Sequence, residues 1–298
     1  MAPMKVRDTD VRLIRSGQGM LPTFIVIGAA KCATTSVCDI LGGHPQVFMS
    51  DPKEPHYFAI SDPQEFEARR PWYEALFAEA GSALAVGEGS VSCTSPRRIA
   101  IAAPRIHATV PECRLIYMVR HPIRRLESDW RMMRFEQRVS GSVNEVLREV
   151  PNLLNWGFYW KHLNVYRSLF ADEQILIVFF EDFTRHPHRE LERIYAHIGV
   201  DSSYVAPDAD RPRLGAGDFR RFGAAASALQ RVPGLERVKH LVPRLAVEAA
   251  KRLFGRRETF EVKWDAATLR SVAEEYREDA AQLLAHCGKP PDYWVLDV

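Results

Sequence analysis

The sequence predicts a doubly wound α/β fold, a mostly parallel sheet with helices on both faces. Three observations predict it. Continuous apolar runs rich in β-branched residues occupy 24–27, 115–119 and 175–180, the pattern of strands buried on both faces. Stretches with helical patterning lie between them at 96–109, 123–138, 143–149 and 157–170, and such alternation builds parallel sheets. The first run also passes through a tight turn of small residues straight into a helix.

Residues 1–22 read as a polar leader that mixes Arg, Asp and Lys and lacks the apolar run of a signal peptide. Gly28 ends the first strand, a helix follows over 34–41, and Gly42-Gly43 stops it. After Val205 the texture changes. Residues 206–258 hold 12 Lys and Arg against 6 Asp and Glu, and Pro207, Pro212, Pro233 and Pro243 break them into short pieces. Within 235–254, Leu235, Val238, Leu241, Val242, Leu245, Ala249 and Leu253 fit one helical face, with Pro243 breaking or kinking it. This stretch reads first as a basic helical insertion with a solvated face. A lid that orders on ligand binding, and peripheral contact of 235–257 with an anionic membrane, are the other readings. The last forty residues return to helix and stop at Pro290-Pro291. The 298 residues are expected to form one domain carrying this insertion.

Composition sets bounds on function. Hydrophobic residues make up 46% of the chain, enough for a sizeable core. The net charge of +2 gives no global reason to bind nucleic acid, so an anion site must come from local clustering. The longest apolar stretch, 21–30, is half of the ~20 residues that span a bilayer. Cys32, Cys38, Cys93, Cys113 and Cys287 are odd in number and show no metal-ligand spacing. They are expected to be reduced thiols in a cytoplasmic protein, with no metal site.

The sharpest feature is the loop Gly28-Ala29-Ala30-Lys31-Cys32-Ala33-Thr34-Thr35-Ser36 between strand and helix. Backbone N–H groups at a helix start have no intrahelical partner, and with the helix dipole they favour an anion. Lys31 adds a full positive charge, and Thr34, Thr35 and Ser36 add hydroxyl donors. Small residues at 29, 30 and 33 let a phosphate approach the backbone. The loop is P-loop-like but is no Walker A motif, which ends in Gly-Lys-Ser/Thr. Taken alone it is equally a tight turn with an exposed lysine.

A second signal shifts that balance. The strand over 115–119 ends in Arg120-His121-Pro122. A kinase or ATPase usually places an aspartate near such a strand end to hold Mg²⁺; here a cation stands instead. Ser128 lies eight residues on and is able to share the same anion if the chain bends at Pro122.

These residues resemble the family of sulfotransferases that use 3′-phosphoadenosine 5′-phosphosulfate (PAPS). The Gly28 to Thr35 loop followed by His44-Pro45 is similar to its 5′-phosphosulfate loop, and Arg120 to Ser128 to its 3′-phosphate site. Lys53-Glu54-Pro55-His56-Tyr57-Phe58 is similar to the acidic segment of the heparan sulfate and carbohydrate sulfotransferase branch. The resemblance covers about 21–200 and 256–298. Ala33 stands where the family usually has glycine, and Gly89-Ser90-Val91-Ser92-Cys93 replaces its usual Thr-Pro-x-Tyr pattern.

The resemblance implies sulfuryl transfer from PAPS, the co-substrate, to a hydroxyl or amine of a carbohydrate or small-molecule acceptor. It implies Lys31 at the leaving oxygen and Glu54 as the general base, with His56 as a neighbour or an alternative base. Lys53, Glu88 and Ser90 are expected at the acceptor, and Arg256 and Arg257 over the 3′-phosphate. Without the resemblance, Glu54 reads as a solvated turn residue, Arg256 and Arg257 as a solvated charge cluster, and His107 as a helix-surface histidine. A P-loop nucleotide kinase or NTPase, and a non-catalytic module that holds adenosine 3′,5′-bisphosphate, are the alternatives.

Overall fold

The structure, a computed structural model, describes residues 20–207, 209, 219–222 and 255–296. The core is a five-stranded parallel sheet built from β1 (Phe24–Gly28), β2 (Val47–Met49), β3 (Ala85–Gly89), β4 (Arg114–Val119) and β5 (Ile175–Phe179), in the order β2-β3-β1-β4-β5. Phe24 stands beside Gly87 on one side and Arg114 on the other. Every residue of β1 is buried, as its unbroken apolar run requires. From β1 the chain runs outward to β2, returns to β3, then crosses β1 to reach β4 and β5. The loops after β1 and β4 therefore part at the centre of the sheet, where α/β folds open a binding crevice.

The two faces of the sheet can be read off β3, because successive strand residues point to opposite sides. A Cβ on Gly87 would meet the Phe24 ring at 2.1 Å, and one on Gly89 would meet Cys38 Sγ at 2.5 Å. Cys38 belongs to α1 (Thr34–Leu41), so α1 covers that face. Glu88 points the other way, where it accepts from the Tyr73 hydroxyl at 3.3 Å. Tyr73 lies on α3 (Arg70–Ala75), which follows α2 (Pro63–Ala68). Helices thus flank both faces, as expected from the alternating pattern.

The remaining helices follow in order: α4 (Ile99–Thr109), α5 (Pro122–Phe135), α6 (Val143–Glu149), α7 (Tyr159–Arg167), α8 (Phe180–Arg185), α9 (Pro187–Ile198) and α10 (Ala266–His286). The 34–41 and 143–149 helices match their predicted bounds. Three differ. The 96–109 helix begins at Ile99, the 123–138 helix ends at Phe135 before left-handed Gln137, and the 157–170 helix spans only Tyr159–Arg167. The last predicted strand stops at Phe179, because Phe180 starts α8. Strands β2 and β3 had no counterpart in the sequence reading. α10 docks on α7: the Asp279 carboxylate accepts the Trp160 and Lys161 N–H groups at 2.9 Å, and Tyr276 donates to the Leu154 carbonyl.

A separate antiparallel ribbon joins β6 (Phe219–Phe222) to β7 (Gly255–Glu258). Most of the predicted leader and the whole 235–254 helix lie outside the described residues. Among the described residues, no helix is long and apolar enough to cross a membrane.

Candidate active site

The phosphate-loop candidate opens at the end of β1. Gly28 has φ +150°, and a Cβ there would lie 2.0 Å from Thr94 Oγ1, so the close approach requires glycine. Ala29 N–H donates to the Met118 carbonyl at 2.7 Å, tying the loop to β4. Lys31 and Ala33 are both left-handed, at φ 68° and 67°. Ala33 thus takes the conformation that glycine adopts without strain. No side chain caps the first turn of α1, leaving that helix start open towards an anion. Thr34 is buried, Thr35 exposed and Ser36 half-buried. Cys32 turns inward, with its Sγ 3.7 Å from the Tyr159 hydroxyl. Burial pushes its thiol pKa up to about 12, so this cysteine can offer an anion only its backbone. Burial lowers the Lys31 pKa, against the pull of Asp129 and Glu136.

Arg120 meets this loop directly. Its Nη1 donates to the Lys31 carbonyl at 3.3 Å, and its guanidinium lies 4.3 Å over the Phe180 ring. Arg120 Nε is buried without a hydrogen-bond partner, which suits a cation awaiting an anionic ligand. The strand end is braced from α8 and the tail. Glu181 accepts from His121 N at 2.8 Å and from Trp294 Nε1 at 3.2 Å, and the His121 ring lies 3.0 Å from the Val295 carbonyl. Ser128 is buried on α5, two turns beyond Arg120. The chain after β7 runs along this same helix: Arg131 donates to the Phe260 carbonyl, and Trp264 Nε1 to Glu127. Arg256 and Arg257 stand on β7, opposite Arg221 and Arg220 in the ladder.

The acceptor-side candidates form one connected cluster at the ends of β2 and β3. Lys53 Nζ lies 2.7 Å from Glu54 Oε1, and His56 Nε2 lies 3.5 Å from Glu54 Oε2. His56 Nδ1 lies 2.8 Å from Ser92 Oγ. The His56 N–H donates to Ser90 Oγ at 3.1 Å, and the Ser90 hydroxyl donates to Glu88 Oε2 at 2.7 Å. Glu54 and His56 are both left-handed, at φ 63° and 56°. Glu88 and Ser90, expected at the acceptor, have no exposed surface. Burial pushes the Glu88 carboxyl up to about 7, against its hydrogen bonds from Ser90 and Tyr73.

Sequence reasoning missed four participants. Thr94 packs against Gly28, Phe180 lies under Arg120, and Glu181 and Trp294 brace the turn at His121. Only Glu181 carried a signal, as an acid at the end of a predicted strand. His107 is half-buried and packs edge-on against Phe170 at 5.1 Å. A cleft of about 460 Å³ opens between the end of α5 and 258–260, lined in part by Arg134, Arg138 and Phe260. None of the residues from 28 to 36 or 53 to 56 lines it.

Residues 65–204 match the sulfotransferase family. Human heparan sulfate glucosamine 3-O-sulfotransferase 3B1 is 27% identical over 198 residues, covering 62% of this chain and 48% of its own. Mouse carbohydrate sulfotransferase 15 is 23% identical over 267 residues, covering 67% and 48%. The chain therefore spans about half the length of the curated relatives it matches. The crystal structure of a sulfotransferase from Alicyclobacillus acidocaldarius shares the fold, with a TM-score of 0.67 at 20% identity over 92% of this chain and 98% of that one. Residues 65–204, a little under half of the chain, thus form a sulfotransferase family domain, and the fold is shared with that bacterial sulfotransferase.

Proposed function

We propose that the protein transfers a sulfuryl group from PAPS to a hydroxyl or amine of a carbohydrate or small-molecule acceptor. The observation that carries this reading is the contact between Arg120 and the Lys31 carbonyl. It brings the two cation-bearing loops to one crevice, where a single nucleotide can meet both. The open start of α1 and Lys31 receive the 5′-phosphosulfate, and Arg120 with Ser128 receives the 3′-phosphate. Arg256 and Arg257, at the head of the segment that runs along α5, complete the 3′-phosphate site.

Sulfuryl transfer is an in-line displacement at sulfur. The acceptor oxygen or nitrogen forms a bond to sulfur as the bond from sulfur to the bridging phosphate oxygen breaks. The acceptor proton passes to Glu54, and the electron pair stays on the bridging oxygen as adenosine 3′,5′-bisphosphate leaves. Lys31 stabilises the charge that builds on that oxygen. Lys53 and His56, both in reach of the Glu54 carboxylate, orient the base.

Thermal melts test the nucleotide site. Adenosine 3′,5′-bisphosphate is expected to raise the melting temperature without Mg²⁺, and more than ATP does. Equal protection by ATP with Mg²⁺ would favour the nucleotide kinase reading. A panel of saccharide and small-molecule acceptors with sulfur-labelled PAPS then separates a transferase from a module that only holds the bisphosphate.

A further inference from the structure

The buried end of the acceptor-side cluster has no role in the chemistry above. Glu88 is a carboxylate in a central strand with no exposed surface. Such a group is expensive to keep unless its hydrogen bonds accomplish something. Its two partners are Tyr73 at 3.3 Å and Ser90 at 2.7 Å. The Ser90 hydroxyl in turn accepts from the His56 N–H at 3.1 Å.

The direction of this chain of bonds is fixed by donor counting. A backbone N–H can only donate, so Ser90 Oγ accepts from His56. The serine has one proton, and a carboxylate oxygen can take it. Glu88 therefore orients the Ser90 hydroxyl so that a lone pair faces His56 N. If Glu88 is protonated on Oε1, the acid proton goes to Tyr73 and Oε2 still accepts from Ser90, so the arrangement survives either charge state. On the loop side, Glu54 and His56 are both in left-handed backbone conformations that non-glycine residues rarely adopt. Such residues persist only where their surroundings over-determine them. The His56 ring is held from the same stretch of chain, by Ser92 Oγ at 2.8 Å.

We propose that Glu88 and Ser90 are positioning residues for the Glu54-Pro55-His56 turn: the buried carboxylate sets the Ser90 hydroxyl, and that hydroxyl pins the backbone of His56, holding Glu54 where it can take the acceptor proton. The Glu54 role in this statement rests on the proposed transferase reading. The pinning itself does not.

Two variants separate the relay from general structural support. Ser90→Ala removes the acceptor for His56 N–H and leaves Glu88 in place. Glu88→Gln keeps an amide oxygen that can receive the Ser90 proton. Hydrogen exchange of the full chain reads the relay with no acceptor needed. In Ser90→Ala the His56 amide is expected to exchange about tenfold faster or more, while amides of β1 and β4 keep their protection. In Glu88→Gln the His56 amide is expected to stay protected. Turnover with an acceptor found by the screen is expected to fall about 100-fold in Ser90→Ala, carried by kcat, with the bisphosphate Kd within about twofold of the parent. Unchanged His56 exchange in Ser90→Ala overturns the proposal. So does a loss of protection spread over the sheet together with lost bisphosphate binding, since that marks a structural residue. Absence of transfer in the parent protein, with His56 still responding to Ser90→Ala, would sink the transferase reading and leave the relay standing.

Discussion

The Arg120 guanidinium donates to the backbone carbonyl of Lys31 across 3.3 Å, joining the end of β4 to the loop after β1. One contact thus couples the two strand ends between which the chain changes direction in the sheet. A nucleotide bound there would touch both, and losing either side should be felt in its affinity.

Arg120→Ala is expected to weaken adenosine 3′,5′-bisphosphate binding by roughly 10- to 100-fold, the size of a lost charge-assisted hydrogen bond. Titration calorimetry without Mg²⁺ measures it. Affinity equal to the parent would remove Arg120 from the site.

Lys31→Ala is expected to slow sulfuryl transfer by about 100- to 1000-fold, because its charge matters most on the leaving oxygen in the transition state. Its effect on bisphosphate Kd should be smaller than its effect on kcat. Single-turnover rates with labelled PAPS give the comparison.

Glu54→Gln is expected to keep nucleotide binding and lose turnover by about 100- to 10,000-fold, the range for removing a general base. Full activity in this variant would shift the role of base to His56, whose ring lies 3.5 Å from the same carboxylate.

Glu88 should leave a mark on stability against pH. Its native carboxyl titrates near 7 rather than 4.5, chiefly through burial. Between those values the unfolded chain gives up the proton while the native state keeps it. The native state then binds more protons, so stability falls as pH rises through that window, by ~3 kcal/mol at most. Glu88→Gln is expected to flatten the melting temperature over the same range. A profile identical to the parent would show that Glu88 does not titrate there.

Gly28→Ala is expected to destabilise the protein by ~1–3 kcal/mol, the usual range for overpacking, since the new Cβ would fall 2.0 Å from Thr94 Oγ1. Bisphosphate affinity should drop with it. A thermal melt and the same titration report both.

Where the sequence was legible, one physical signal dominated. β1 and β4 are buried runs of large apolar residues, β5 is an apolar run half-buried at the sheet edge, and such runs announce themselves. β3 does not, because its packing demands small residues: Gly87 lies under the Phe24 ring and Gly89 under Cys38. β2 is too short, at three residues, to show a pattern. The nucleotide candidates were legible for a similar reason. Loop and helix start are contiguous in sequence, and Arg120 closes a strand that was already visible.

By itself, then, the order of residues determined the alternation of strand and helix, the phosphate-loop candidate, and the identities of Lys31, Arg120 and Glu54 as residues worth testing. Only the tertiary structure decided that Arg120 touches Lys31, that Glu88 is sealed beneath the site, and that Glu181 and Trp294 brace it. The reason is range. Apolar periodicity and turn chemistry act between near neighbours and leave their trace in a local window. The bonds that assemble the site join residues 34, 60, 89 and 113 positions apart, and nothing in a local window specifies which distant strand end the folded sheet will set beside another.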